Sequence, residues 1–154
     1  MMILSSDVIK FLQGRTLATA ESCTGGGIGA ALTAVSGSSA VFKGGIISYC
    51  NEIKHNVLGV DQNVLDTIGA VSAAVAEAMV AGARKVLDAD IAVSATGLAG
   101  PGGDEFGNPV GTVFIGYSDS QTTFAREFHF AGSREDVRNQ AIEAALAIIL
   151  EQNR

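Results

Sequence analysis

The chain is poor in the groups that bind metals, cross-link or grip nucleic acid. It has two cysteines, Cys23 and Cys50, and no C-x-x-C pair. Two thiols without that spacing argue for reduced side chains rather than a disulfide framework. The two histidines, His55 and His129, are far apart, and neither stands in a ligand-spaced cluster with cysteine or carboxylate. No structural or catalytic metal is expected. Positive charge is scarce: Lys and Arg number 10 against 16 Asp and Glu, a net charge of −6. The basic residues are dispersed, which excludes a nucleic-acid surface built on clustered Lys and Arg but leaves room for a local small-anion pocket. No apolar run reaches the length of a membrane span. The N-terminus, Met1 to Asp7, has no basic region before its short apolar run. No signal peptide is therefore expected, and a cytoplasmic location follows by default.

What is present is a folding composition: 47% hydrophobic and 17% charged over 154 residues, enough for one domain spanning 1–154 with a sizeable core. Val8, Ile9, Phe11 and Leu12 recur at helical spacing over 5–13, with Ser and Asp before them as start signals and Gly14 as a stop. Residues 16–20 read as a buried strand, 27–35 as a helix, and 44–49 as a second strand led by glycines. Asn51 is a candidate cap for a short helix ending at Gly59, and 61–68 reads as a helical turn. Ser72 caps a long helix to Leu87 with Ala73, Ala76, Met79, Val80, Ala83 and Val86 on its inward face. Ile91 to Ala95 is near-continuously apolar, as a strand covered on both faces would be. Strands at 110–117 and 122–130 flank the turn 118–121 as a hairpin, and a last helix covers 134–151. Helices alternating with strands, then a hairpin and a helix, predict a three-layer α/β/α sandwich on a mixed, mostly parallel five-stranded sheet. The alanine-rich faces of the two long helices suggest surplus apolar surface and a homo-oligomer, dimer or larger.

Ligands of such sheets sit at the carboxyl ends of the strands, and three unusual stretches fall there. The first is Thr19 to Gly26, which places Ser22, Cys23 and Thr24 on a tight strand-to-helix turn. Gly25 and Gly26 let the backbone approach a ligand, and the first amides of the next helix offer a phosphate or oxyanion site. Ser22 is presented much as on a nucleophile elbow, though G-x-S-x-G is absent; alternatively Ser22 or Thr24 is a helix cap. The second stretch carries Tyr49 and Lys54. A lysine desolvated in a cleft can accept a serine proton, with Tyr49 relaying it or orienting the amine. The plain alternative is a packed tyrosine and a solvated lysine. Cys23 is a rival nucleophile if acidified at a helix N-terminus, or a small buried hydrophobe. The third stretch, Thr96 to Gly103, matches neither glycine-rich phosphate fingerprint, yet its backbone can offer amides to an anion. Arg134 and Arg138, one turn apart, are either a phosphate clamp or a solvated helix face.

The runs A-E-S-C-T-G-G at 20–26, G-G-I-I-S-Y-C-N-E-I-K at 44–54, G-A-V-S at 69–72, T-G-L-A-G-P-G-G at 96–103, P-V-G-T-V at 109–113 and Phe130 to Arg138 together resemble the CinA C-terminal domain family. That family includes nicotinamide-nucleotide amidases. The resemblance covers nearly the whole chain; its one slight departure is Cys50, where another small residue is common. It implies hydrolysis of the carboxamide of nicotinamide mononucleotide to nicotinic acid mononucleotide and ammonia, in pyridine nucleotide salvage. It implies Ser22, Tyr49 and Lys54 as catalytic residues. Cys23, Thr24, Gly25, Gly26, Thr96, Gly97, Gly100, Gly102 and Arg134 are the expected substrate-binding set, and no cofactor is expected. The partner is then a small nucleotide substrate rather than a nucleic acid or membrane. In longer relatives a further domain precedes this one, and its activities are not carried over. The rival reading is a non-catalytic nucleotide-binding or protein-interaction module linked to competence or DNA damage.

Overall fold

A strand at the centre of a covered sheet must be apolar on both faces. β1 (Leu17–Glu21) and β4 (Thr112–Ser118) are buried at every position, and β3 (Ile91–Gly97) at all but its last. In contrast, β2 (Phe42–Ile47) alternates half-buried with exposed and β5 (Thr123–His129) is largely exposed, the patterns of edge strands. The computed structural model, which describes residues 1–154, arranges them accordingly as β2-β1-β3-β4-β5 in one five-stranded sheet. β1 is parallel to β2 and β3, while β3–β4 and β4–β5 are antiparallel. The sheet is thus mixed and parallel at one end.

Side chains alternate across a strand, and here each parity meets its own helical layer. Leu17, Ile91, Val93 and Ala95 face α1 (Met2–Phe11), α2 (Gly27–Thr33) and α6 (Arg134–Asn153) in the larger core. Ala18, Ala20 and Ala92 face α5 (Ala73–Leu87) in the smaller one. The result is the expected α/β/α layering, with α3 (Asn51–Asn56) and α4 (Gln62–Thr67) between β2 and α5. The alanines let α5 lie close to the sheet. A Cβ on Gly116 would fall 2.6 Å from the Ala76 carbonyl, to which Ser94 donates its hydroxyl at 2.7 Å.

Local start signals were less faithful than the periodicity. α1 begins at Met2, not Ser5, because the Ser5 amide and hydroxyl both bond back to the Met1 carbonyl from inside the helix. Asn51 is the first residue of α3 and Cys50 holds the cap position, without a side-chain bond. Ser72 does cap α5, accepting from the Val75 amide. The inward stripe of α5 is Val75, Ala76, Met79, Val80 and Ala83; Ala73 is exposed, and Val86 in the last turn is 52% exposed. Ala76 and Ala83 on α5, and Ala141 and Ala145 on α6, are fully buried within the chain. The alanine-rich faces behind the expected oligomer are therefore spent on the chain's own sheet. No helix is long and apolar enough to cross a membrane.

Register brings the site residues together. Glu21 at the end of β1 lies opposite Ile47 of β2 on one side and Ala95 of β3 on the other. The chain leaves β1 toward β2 and later crosses back to β3, so the loops diverge on either side of β1 and open a crevice there.

Candidate active site

A cavity of about 640 Å³ occupies that crevice. Its walls come from Ser22 and Cys23 after β1, Tyr49 and Lys54 after β2, the loop from Thr96 to Gly102 after β3, and Arg134 at the start of α6. Three predicted stretches thus meet at one point.

Lys54 is the buried centre of it, only 2% exposed. Its Nζ lies 3.1 Å from Ser22 Oγ, 2.9 Å from the Ser48 carbonyl and 3.4 Å from the Tyr49 carbonyl. Burial holds its pKa below the ordinary lysine value, with the Cys50 and Cys23 thiols acting the other way. A neutral amine has two N–H groups and one lone pair. The two carbonyls can take the N–H groups, which turns the lone pair toward the Ser22 hydroxyl. The solvated-lysine alternative does not hold. Tyr49 contributes differently from expectation: its backbone carbonyl meets Lys54, while the side chain is 62% exposed and its hydroxyl accepts from Arg134 Nη2 at 3.2 Å. The phenol is engaged by the arginine, not by the amine.

The turn before α2 corrects a second expectation. The first helix amides are not free for a phosphate, because the chain's own Glu21 carboxylate fills them. It accepts from the Ile28 amide at 2.8 Å, the Gly29 amide at 3.1 Å, Thr24 Oγ1 at 2.7 Å and Thr19 Oγ1 at 3.1 Å. Period-2 alternation explains it: Leu17, Thr19 and Glu21 share the face that α2 covers. Neither Ser22 nor Thr24 is the N-cap; Gly26 is, with φ 97°. A left-handed φ of that kind suits glycine. Ser22 is fixed by its backbone, donating its amide to the Ala95 carbonyl at 2.9 Å and accepting from the Gly25 amide at 3.0 Å. The Cys23 amide donates to no other backbone carbonyl.

Ser22 and Cys23 part after the strand. Ser22 meets Lys54, whereas Cys23 belongs to the larger core. Burial pushes the Cys23 thiol up to about 11, outweighing its own amide and the nearby Lys54 and Arg138 charges. This is the inert, small-hydrophobe form of cysteine. Thr24, Gly25 and Gly26 stand behind the cavity wall and do not line it.

On the opposite wall, the Thr96 hydroxyl is committed to the Ala70 carbonyl at 2.9 Å. Gly97 lines the cavity, and a Cβ there would come 2.6 Å from the Thr112 carbonyl. Gly100 and Gly102 also line it, and their amides have no acceptor within the chain. Arg134 donates to the Gly100 carbonyl at 2.6 Å and so ties the loop to Tyr49 across the mouth. Arg138 also leaves the solvated role considered for it: Nε donates to the Cys23 carbonyl and Nη2 to the Thr24 carbonyl, each at 3.1 Å.

The CinA C-terminal domain model matches residues 4–153. The chain belongs to the CinA C-terminal domain family. It is 47% identical over 150 residues to a CinA-like protein of Synechococcus sp. (strain RCC307), covering 95% of this chain and 36% of the relative. It is 45% identical over 148 residues to a CinA-like protein of Mycolicibacterium gilvum (strain PYR-GCK), covering 96% and 35%. The chain thus spans about a third of the length of these relatives. Among solved structures it resembles the competence damage-inducible protein A of Klebsiella pneumoniae subsp. pneumoniae, with TM-score 0.95, 37% identity, and 98% and 95% of the two chains covered. It equally resembles the competence/damage inducible protein CihA of Agrobacterium tumefaciens, with TM-score 0.96, 36% identity, and 99% and 95% covered.

Within this CinA domain the sequence reading overlooked two groups. Glu21 looked like part of the turn, although Thr19-x-Glu21 at period 2 on a strand was the signal that it points inward. Asp104, Glu105 and Phe106 also line the cavity, on the loop that follows the glycine-rich run Gly97 to Gly103.

Proposed function

We propose that this chain is an amidohydrolase that converts nicotinamide mononucleotide to nicotinic acid mononucleotide and ammonia. The observation that carries the reading is Lys54 Nζ, buried and 3.1 Å from Ser22 Oγ at the floor of the cavity. That spacing is hydrogen-bond reach for a base and its nucleophile. The substrate comes from the resemblance to nicotinamide-nucleotide amidases.

In the reaction, Lys54 takes the Ser22 hydroxyl proton as Oγ bonds to the carboxamide carbon. The carbonyl oxygen becomes an oxyanion, which the Cys23 amide is suited to meet, being the N–H that follows the nucleophile. The C–N bond then breaks, and the Lys54 ammonium protonates the departing nitrogen to give ammonia and an acyl ester on Ser22. Lys54, neutral again, takes a proton from water as it attacks the ester. Collapse returns that proton to Ser22 and releases the carboxylic acid. In this reading the free Gly100 and Gly102 amides and Arg134 hold the anionic end of the nucleotide.

The rival, a binding module for a nucleotide or a competence protein, leaves the contact unexplained. A binding module has no need to bury a lysine against a serine, since burying that charge costs stability. Ammonia release with nicotinamide mononucleotide, lost in Ser22→Ala, tests the proposal. Tight binding without ammonia would favour the module.

A further inference from the structure

We infer that Arg138 is a positioning residue that holds the Ser22 turn in its reactive shape from behind. This rests on the reading of Ser22 as the nucleophile. Residues 22–25 form a four-residue turn closed by the Gly25 amide on the Ser22 carbonyl at 3.0 Å. That bond orients the first peptide unit of the turn, whose N–H belongs to Cys23. The next two units carry the Cys23 and Thr24 carbonyls, and both point at one guanidinium: Arg138 Nε to Cys23 and Nη2 to Thr24, each at 3.1 Å. Peptide units are planar with C=O and N–H opposed. Fixing two carbonyls therefore fixes the planes that carry the Thr24 and Gly25 amides, and the Gly25 amide closes the turn. Gly25 adopts φ 60°, and a Cβ there would press on Arg138 Nη2 at 3.3 Å, so the glycine leaves room for the guanidinium. From the other side, Thr24 Oγ1 donates to Glu21 at 2.7 Å. Thr24 is thus gripped by its carbonyl and its hydroxyl at once. Arg138 does not line the cavity, so it acts only through the turn. Its planar fork supplies two parallel donors that a lysine cannot.

The test reads two signals in wild type, Arg138→Ala and Arg138→Lys: steady-state ammonia release, and the rate at which phenylmethanesulfonyl fluoride modifies Ser22, followed by peptide mass. The second signal needs no nucleotide substrate. Misplacing a nucleophile lowers reactivity ~10- to 100-fold. Arg138→Ala should lose that much in both kcat and Ser22 labelling, with KM little changed. Added guanidinium should restore Arg138→Ala several-fold, methylammonium should not, and neither should restore Ser22→Ala. Arg138→Lys keeps the stem and its packing, and should fold and remain below wild type. Wild-type labelling at Ser22 without ammonia release would overturn the substrate reading and leave the positioning role standing on the labelling rates. Arg138→Lys or a folded Arg138→Ala with wild-type labelling would overturn the role of Arg138. So would loss in Arg138→Ala that guanidinium does not reverse while Arg138→Lys is fully active. If the wild type neither releases ammonia nor is labelled at Ser22, the inference falls with the nucleophile.

Discussion

Replacing Lys54 by methionine separates a catalytic lysine from a structural one. The substitution keeps an unbranched side chain in a site that is 2% exposed and removes only the amine. Two carbonyls, of Ser48 and Tyr49, lose their donor. An unsatisfied buried polar group costs about 1–3 kcal/mol, while the desolvation of a buried ammonium, several kcal/mol in general, is relieved. The two effects oppose, so stability should change by about 2 kcal/mol or less. Removing a general base costs ~10²- to 10⁴-fold in rate, equivalent to about 2.7–5.4 kcal/mol at 1.36 kcal/mol per tenfold. Function should therefore fall much further than stability. The pH profile gives the sign. Lys54 acts when neutral, and burial lowers its pKa, so kcat/KM should rise with pH through that lowered value and level off below the ordinary 10.5. Lys54→Arg, which stays protonated, should not recover at high pH. Between the lowered pKa and 10.5 the unfolded chain binds more protons at this residue than the folded one. Wild-type stability should accordingly gain on that of Lys54→Met as pH rises through this window. The assays are continuous ammonia release across pH and thermal unfolding. A Lys54→Met protein retaining a tenth or more of wild-type kcat would refute the role of the base.

Glu21→Gln replaces an acceptor-only group with an amide that cannot accept at one end, while four donors converge on it. It should cost about 2 kcal/mol, roughly 4–8 °C in Tm by thermal unfolding for a chain of this size; an unchanged Tm would contradict the account of the α2 terminus. Cys23→Ala should keep most activity and lose about 1 kcal/mol of stability. Iodoacetamide should modify the exposed Cys50 before the buried Cys23, whose thiol is pushed up to about 11, as peptide mapping would show; inactivation in step with Cys23 alkylation would instead make Cys23 the nucleophile. Arg134→Met frees Tyr49 and the Gly100 carbonyl and should raise KM ~10-fold, about 1.4 kcal/mol, with a smaller change in kcat; an unchanged KM would remove Arg134 from substrate binding.

Much of this architecture was legible because burial writes itself as period. The near-continuous apolar run from Ile91 to Ala95 corresponds to a strand buried on both faces, the turn signal at Ser118 to Gln121 to the hairpin of β4 and β5, and the apolar stripe of α5 to one packed face. The convergence of Ser22 with Lys54 followed from the rule that loops meet at the carboxyl ends of parallel strands, without any contact being readable beforehand. Start signals carried less, since the hydroxyl of Ser5 serves inside α1 as readily as it would at a cap. Polar groups were hardest to place. An arginine on a helix looks solvated until its distant acceptor is known, and Arg138 finds its acceptors at Cys23 and Thr24 only through the tertiary fold. Glu21 shows the same in reverse: a carboxylate buried at 2% exposure pre-empts the helix terminus that local reading assigned to a ligand. Tyr49 was placed at the right edge, but its side chain and backbone divide the work in a way that spacing does not encode.

The central claim is a covalent step at Ser22, and its most direct test is mass spectrometry of protein quenched in acid during turnover of nicotinamide mononucleotide. An ester intermediate can be enriched by slowing its hydrolysis in low-water mixtures, because water is a reactant only in the second step. The account predicts a nicotinoyl-nucleotide adduct on the peptide containing Ser22, mapped to Ser22 and absent from Ser22→Ala. An adduct on Cys23, or an active Ser22→Ala protein, would contradict it.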